Sequence, residues 1–188
     1  MTKLIIGGFT IIFFLLGIFD IKTNLTKFPK SNLPPTTTVV QQIKDARPRV
    51  IRIIDGDTIV VLIDSVSEKV RLIGVDTPET VDPRKIVECF GAETSEFTKT
   101  MLLNKVVRLE SDSSQGDRDR YGRLLRYVFL VDDTNQKEIF VNKKIITDGY
   151  GHEYTYRTPY RYQDDFKNFE DTARKLQNGL WGEKCTVG

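Results

Sequence analysis

Five stretches of the chain gather β-branched and aliphatic residues into short runs closed by Gly, Asp or Ser. They are "RVIRIID" (49–55), "TIVVLID" (58–64), "KVRLIG" (69–74), "VVRLES" (106–111) and "LLRYVFLV" (124–131), and runs of that length and composition read as strands. Three others repeat their apolar positions with a helical period. The first spans Gly91 to about Asn104, with Phe97, Met101 and Leu102 on one side. The second surrounds Val141, Ile145 and Ile146 and stops at Gly149. The third steps through Tyr162, Phe166, Phe169, Ala173 and Leu176, with Gly179 as the expected C′ residue. Strands first, with helices interspersed late, predict an α+β fold in which a small antiparallel sheet or barrel packs about three α-helices on one side. The apolar stripes are core positions and carry no chemistry.

The N-terminus follows another pattern. Behind Lys3, sixteen positions from Leu4 to Phe19 hold no charge, long for a signal-peptide core and short for a full membrane span. No A-x-A-like cleavage site follows and no cysteine is placed to take a lipid. Residues 1–21 therefore read as a hydrophobic helix, a signal peptide or membrane anchor, with the anchor preferred. Lys22, Lys27 and Lys30 behind it blur the positive-inside signal. Residues 22–47, rich in Pro and Thr and without a period, read as a linker, and the folded domain as 48–188.

Composition narrows the chemistry. With 188 residues, 39% hydrophobic and 29% charged, the chain holds one domain with its own core plus short extensions. The net charge of +2 is too small to draw nucleic acid by bulk attraction, so any anionic ligand must be held by local placement. The single histidine, His152, argues against a His-rich zinc site or a His–His acid/base pair and reads as a turn or surface residue. Cys89 and Cys185 lack CxxC spacing and cannot form a zinc site by themselves, which leaves two free thiols or one disulfide.

Candidate chemistry begins in "IIDGDTIVV" (53–61). Asp-Gly between β-rich runs is a strong hairpin signal, with Gly56 able to take φ > 0. Asp55 and Asp57 also suit a hard cation, which takes oxygen ligands. If the next connection, "DSVSEK", is centred between Val66 and Ser67, Asp57 faces Asp76 across the hairpin, give or take two positions. Opposed residues lie about 4.5–5.5 Å apart at Cα, so two carboxylates there repel unless a cation or proton lies between them. Asp76 opens "DTPET", which also spells a helix start with Thr77 as N-cap, Pro78 at the first helical position and Glu79 in the first turn. Arg71, inside the apolar "VRLIGV", reads either as a charge snorkelling at a barrel rim or as a guanidinium facing a phosphate. In the charged turn "DRDRYGRLLRY", Gly122 lets the backbone bend sharply just before Arg123.

Together these residues resemble the thermonuclease, or staphylococcal-nuclease-like, family. The resemblance lies in "IDGDT" (54–58), Arg71 and "VDTPET", "GAE" (91–93), "DRYGR" (119–123), the Tyr154 and Tyr156 pair, and "GLW" (179–181), and it covers roughly residues 48–188 in order. It implies an OB-fold five-stranded β-barrel with three helices and Ca²⁺-dependent hydrolysis of DNA and RNA, leaving 3′-phosphates. It also implies roles. Asp57, Asp76 and the Thr77 carbonyl would hold the metal, with Asp55 in support. Glu79 would activate water, and Arg71 and Arg123 would stabilise the phosphoryl group. Arg120, where the family often has Lys, would contact substrate together with Tyr121, Tyr154 and Tyr156.

If the hydrophobic N-terminus exports the domain, a Cys89–Cys185 bridge would tie the loop before the first helix to the C-terminal tail in an oxidising compartment, whether secreted or membrane-anchored. Two other readings compete: a non-catalytic OB-fold module that binds nucleic acid, and an anchored surface domain that contacts proteins. Glu79 separates catalysis from binding, since a binder has no need of it.

Overall fold

The architecture follows from two tight turns and one closure. In the computed structural model, residues 47–79, 88–132, 134 and 137–186 are described. The hydrophobic helix expected over 1–21 and the linker expected from residue 22 up to residue 46 lie outside the described residues. Strand β1 (Arg49–Ile53) turns through 54–57 into β2 (Thr58–Ile63), and β2 turns through Asp64–Ser65 into β3 (Val66–Leu72). Asp64 and Ser65 both have positive φ, 46° and 69°, which is what a two-residue hairpin of matching twist requires.

That turn sets a register different from the one expected from the sequence. Thr58 faces Arg71 and Ile63 faces Val66, so Asp57 lies opposite Leu72, whose N–H donates to the Asp57 carbonyl at 3.0 Å. Asp76 is four positions farther on. A slip of four residues keeps every side chain on its own face, so hydrophobic alternation could not detect it. Only the turn distinguishes the registers, and Asp-Ser carries no Gly or Asn to advertise it.

The barrel runs β1-β2-β3-β6-β5, where β5 is Val107–Glu110 and β6 is Leu124–Asp132, with β3 and β6 parallel. It closes where Arg49 bridges Val106 and the Val107 N–H donates to the Pro48 carbonyl at 2.8 Å. A five-stranded barrel in this order is the OB-fold arrangement. Three short strands went unnoticed in the sequence: β4 (Val75–Asp76), β7 (Lys137–Phe140) on the edge of β6, and β8 (His152–Glu153) paired with β4. His152 therefore sits in a strand pair opposite Asp76, not in a turn. Val50, Ile59, Val61, Val70, Val107, Tyr127 and Val128 are buried in one hydrophobic core.

Three helices pack around the barrel: α1 (Gly91–Leu102), α2 (Val141–Thr147) and α3 (Gln163–Lys175). A 3-10 turn (Gly179–Trp181) and the four-residue α4 (Glu183–Thr186) follow. The buried stripe of α1 is Gly91, Thr94, Thr98 and Leu102, while Phe97 and Met101 are only partly buried. The threonine hydroxyls donate to backbone carbonyls, Thr98 to Gly56 and Thr94 to Tyr150, both at 2.9 Å. At the end of α3, Leu176 is exposed and Gln177, at φ 55°, takes the C′ position expected of Gly179. Gly179 opens the 3-10 turn instead, where a Cβ would lie 2.3 Å from the Gly149 carbonyl oxygen. Among the described residues, no helix is long and apolar enough to cross a membrane.

Candidate active site

Asp55, Asp57, Arg71, Asp76, Thr77 and Arg123 meet in one cluster, brought there by close backbone approaches. Gly56 is needed for space and not for a positive φ, since a Cβ there would lie 2.3 Å from Thr94 and 2.8 Å from the Thr77 hydroxyl. Its absence lets α1 and the 76–79 segment close on the Asp55–Asp57 turn. After β3, Gly74 (φ 74°) reverses the chain into β4, and a Cβ there would strike the Tyr160 ring. Buried Asn142 fixes this corner. Its Nδ2 donates to the Ile73 carbonyl and its Oδ1 accepts from the Val128 N–H, both at 2.9 Å.

Asp57 and Asp76 converge through this corner and not across the hairpin. The Arg71 guanidinium lies between them, Nη1 at 2.9 Å from Asp57 Oδ2 and Nη2 at 2.9 Å from Asp76 Oδ1, and Nη1 also donates to the Val75 carbonyl. Arg71 and Asp57 are nearly buried, and removing one partner of such a pair strands the other charge at a cost of about 3–5 kcal/mol. The Asp76 side chain is 52% exposed. Partial desolvation raises its pKa, helped by Asp57 and opposed by Arg71. Thr77 donates both its N–H (3.0 Å) and its hydroxyl (3.1 Å) to Asp57 Oδ2. Residues 77–79 form no helix, so the helix start read from "DTPE" is not made there. Asp55 supports Asp57 by accepting its N–H at 3.2 Å, and burial, then the Asp57 charge, push the Asp55 pKa up to about 7.

Arg123 joins this cluster through a residue the sequence reading passed over. Thr58 Oγ1 donates to Asp57 Oδ1 (3.0 Å) and accepts from Arg123 Nη1 (3.2 Å). Asp119, also missed, holds Arg123 by its Nε (2.6 Å) and N–H (2.9 Å) and accepts the Tyr121 N–H as well. The spacing in "DRYGR" was a usable signal, because an Asp that accepts from the N–H two residues on makes an Asx turn. Burial alone would raise the Asp119 pKa, but these hydrogen bonds outweigh it and hold the carboxyl below its ordinary value. Gly122 bends at φ 77°, as the turn demands.

Beside Arg71 and Asp76 opens a cleft of about 580 Å³, lined by Arg71, Arg118, Arg120, Arg123 and Arg157 against only two acids, Asp76 and Asp119. The near-neutral chain thus concentrates positive charge locally, which focuses the field on an anion. Arg118 is engaged by Glu68, while Arg157 stacks over Tyr156 and has no carboxylate partner among the described residues. Arg120 donates to the Tyr121 hydroxyl at 2.6 Å. Tyr121, Tyr154 and Tyr156 are exposed on the walls, the last two with ring centroids 6.4 Å apart. Glu79 lies three residues beyond Asp76 and is not a cleft-wall residue. Its main chain is tied to Glu88, whose carboxylate accepts the Glu79 N–H at 3.1 Å. Just beyond, Cys89 and Cys185 form a disulfide.

Comparison with known proteins adds an independent line. A model of the family described as "Staphylococcal nuclease homologue" matches residues 69–183. A thermonuclease of Staphylococcus hyicus is 45% identical over 133 residues, covering 71% of this chain and 74% of that protein. A thermonuclease of Staphylococcus intermedius is 42% identical over 130 residues, covering 69% and 73%. Endonuclease YncB of Bacillus subtilis is 35% identical over 137 residues, covering 72% and 62%.

Proposed function

Because the chain belongs to the staphylococcal nuclease homologue family, we propose that it is a Ca²⁺-dependent endonuclease that hydrolyses DNA and RNA with little sequence preference, leaving 3′-phosphates. That it is a nuclease, a phosphodiester hydrolase, follows from the family and from relatives that are thermonucleases and an endonuclease. The observation that carries the finer reading is the Arg71 guanidinium held between Asp57 and Asp76 beside the arginine-lined cleft.

Two carboxylates that already converge on one cation, with the Thr77 carbonyl next in the chain, form a hard oxygen set of the kind calcium takes. Among the described residues, no group of three or more His, Cys, Asp or Glu could hold an ion by itself. Asp57, Asp76 and the Thr77 carbonyl would hold the ion, and waters and a phosphate oxygen of the substrate would supply the remaining oxygens. When bound, Ca²⁺ supplies Lewis acidity that neutralises charge on the phosphate.

The chain's own groups do the rest. Glu79 takes a proton from the attacking water. Arg71 exchanges a carboxylate partner for a phosphoryl oxygen, and Arg123, oriented by Asp119 and Thr58, grips a second. Preorganised donors of this kind commonly account for about 10²–10³ in turnover each. Asp55 holds the Asp57 main chain. Arg120 and Tyr121 meet the terminal phosphate, while Tyr154 and Tyr156 stack a base, which favours single-stranded or unpaired substrate. The disulfide suits an oxidising compartment and supports export of the domain, secreted or held at a membrane by the N-terminal segment.

The test incubates the full chain with single-stranded DNA, in Ca²⁺ and in chelator, beside Glu79→Gln and Arg71→Ala. Cleavage should require Ca²⁺, and Glu79→Gln should lower kcat by about 10²-fold or more while KM changes little. Ca²⁺-independent binding without cleavage would instead make the protein a nucleic-acid-binding module.

A further inference from the structure

Glu79 and Glu88 are joined by two hydrogen bonds. The Glu79 N–H donates to the Glu88 carboxylate at 3.1 Å, and the Glu88 N–H donates to the Glu79 carbonyl at 3.2 Å. The Glu79 backbone is therefore fixed from Glu88 as well as from Thr77, which Asp57 holds. Glu88 is itself fixed from its far side. Its carbonyl accepts the Gly91 N–H at 3.1 Å, and the next residue, Cys89, is bonded to Cys185 in α4. Lys184, beside Cys185, pairs with Glu93 of α1. The C-terminal segment thus reaches Glu79 through one covalent bond and one clasp.

We propose that Glu88 is a positioning residue for Glu79 and that the Cys89–Cys185 disulfide anchors it, so that turnover depends on the redox state of the bridge. This rests on Glu79 being the general base. A dithiol reductant breaks the S–S bond, giving up two electrons and two protons to leave two thiols and its own cyclic disulfide. Cys89 is exposed, so the reductant reaches it. With the bridge open, the segment that carries Glu88 loses its covalent tie to α4 and is held by hydrogen bonds alone, so the clasp on Glu79 loosens. The arginines and tyrosines that bind substrate stand on other segments and do not move. The loss therefore falls on kcat and spares KM. In a reducing cytoplasm the enzyme would be throttled, and it would gain full turnover after oxidation outside the cell that makes it.

The experiment measures kcat and KM of the full chain on single-stranded DNA in Ca²⁺, oxidised and after dithiothreitol, with thermal melts of both forms. Reduction should lower kcat at least about tenfold, within the hundredfold that a misplacement of about 1 Å can cost, with KM changing less than about twofold. Oxidised Glu88→Ala should show the same loss and lose little more on reduction, and Glu88→Gln, which still accepts the Glu79 N–H, should recover most of it. The Cys89→Ser/Cys185→Ser chain should be slow and indifferent to dithiothreitol. If the reduced chain melts below the assay temperature, oxidised Glu88→Ala carries the test alone. Full turnover in oxidised Glu88→Ala, or a reduced wild type that stays folded and fast, overturns the proposal. Glu79→Gln separates the two readings: if it stays fast the general base is wrong, and if it is slow while Glu88→Ala is fast only the positioning is wrong.

Discussion

Gly56→Ala adds one methyl group where α1 meets the Asp55–Asp57 turn. Its Cβ would lie 2.3 Å from Thr94 Cγ2, 2.8 Å from Thr77 Oγ1 and 3.0 Å from Thr77 Cβ, against about 3.5–4.0 Å for an ordinary carbon–carbon contact. The backbone conformation is no obstacle, because Gly56 does not have positive φ. Thr94 is fully buried and its hydroxyl donates to the Tyr150 carbonyl, so rotating its methyl away sacrifices a hydrogen bond worth about 1 kcal/mol. Adding the strain of overpacking, about 1–3 kcal/mol, gives an expected loss of about 2–4 kcal/mol. Thr94→Ser deletes the clashing carbon and keeps the hydroxyl, and alone should cost about 1 kcal/mol. The double variant should therefore be more stable than the sum of the singles by at least about 1 kcal/mol. Urea midpoints at constant m-value read this coupling. Turnover should stay low in the double variant, because the overlap with Thr77 persists. Additivity within about 0.5 kcal/mol would refute the packing argument.

Asp112 accepts hydrogen bonds from the Tyr127 hydroxyl (2.6 Å) and the Arg161 N–H (2.8 Å); burial opposes ionisation, but these bonds and those from Ser114 hold its pKa at about 2. A folded-state pKa below the unfolded value of about 4 stabilises the protein above pH 4, and that contribution disappears as pH falls through about 2. Urea titrations from pH 5 to 2 should show Asp112→Asn losing about 1–2 kcal/mol less than wild type over that window, after allowance for solvent screening, and equal losses would contradict the assignment. Asp119→Ala should lower kcat at least about tenfold by releasing Arg123, and should add nothing to Arg123→Ala; a further drop in the double variant would give Asp119 a separate role. Arg157→Ala should weaken single-strand binding and reduce the slope of log K against log salt by about 0.7, and an unchanged slope would remove Arg157 from phosphate contact.

The five barrel strands and three helices were legible because their apolar periods are strong and each ends in a turn residue. The short strands β4, β7 and β8 were not, since two to four residues cannot show a period. On α1 the buried contacts are threonine hydroxyls, which look polar in a sequence and gain their place only when a carbonyl is aimed at them. The candidate site residues could be named from the sequence, but their geometry could not. Hairpin counting set Asp57 against Asp76, whereas the structure brings them together through Gly74 and Arg71. Thr58 was invisible for a related reason, because it links Asp57 to Arg123, which the chain separates, whereas Asp119 left a signal in the spacing of "DRYGR".

The guanidinium between Asp57 and Asp76 bears on the order of events in the life of the molecule. Carboxylates gathered to receive an ion would push each other apart in its absence, and a domain built that way would have to meet its ion before it could fold. Here the chain carries its own counter-ion at position 71. The two acids are held side by side without an ion, so the site proposed for one would not need it in order to fold.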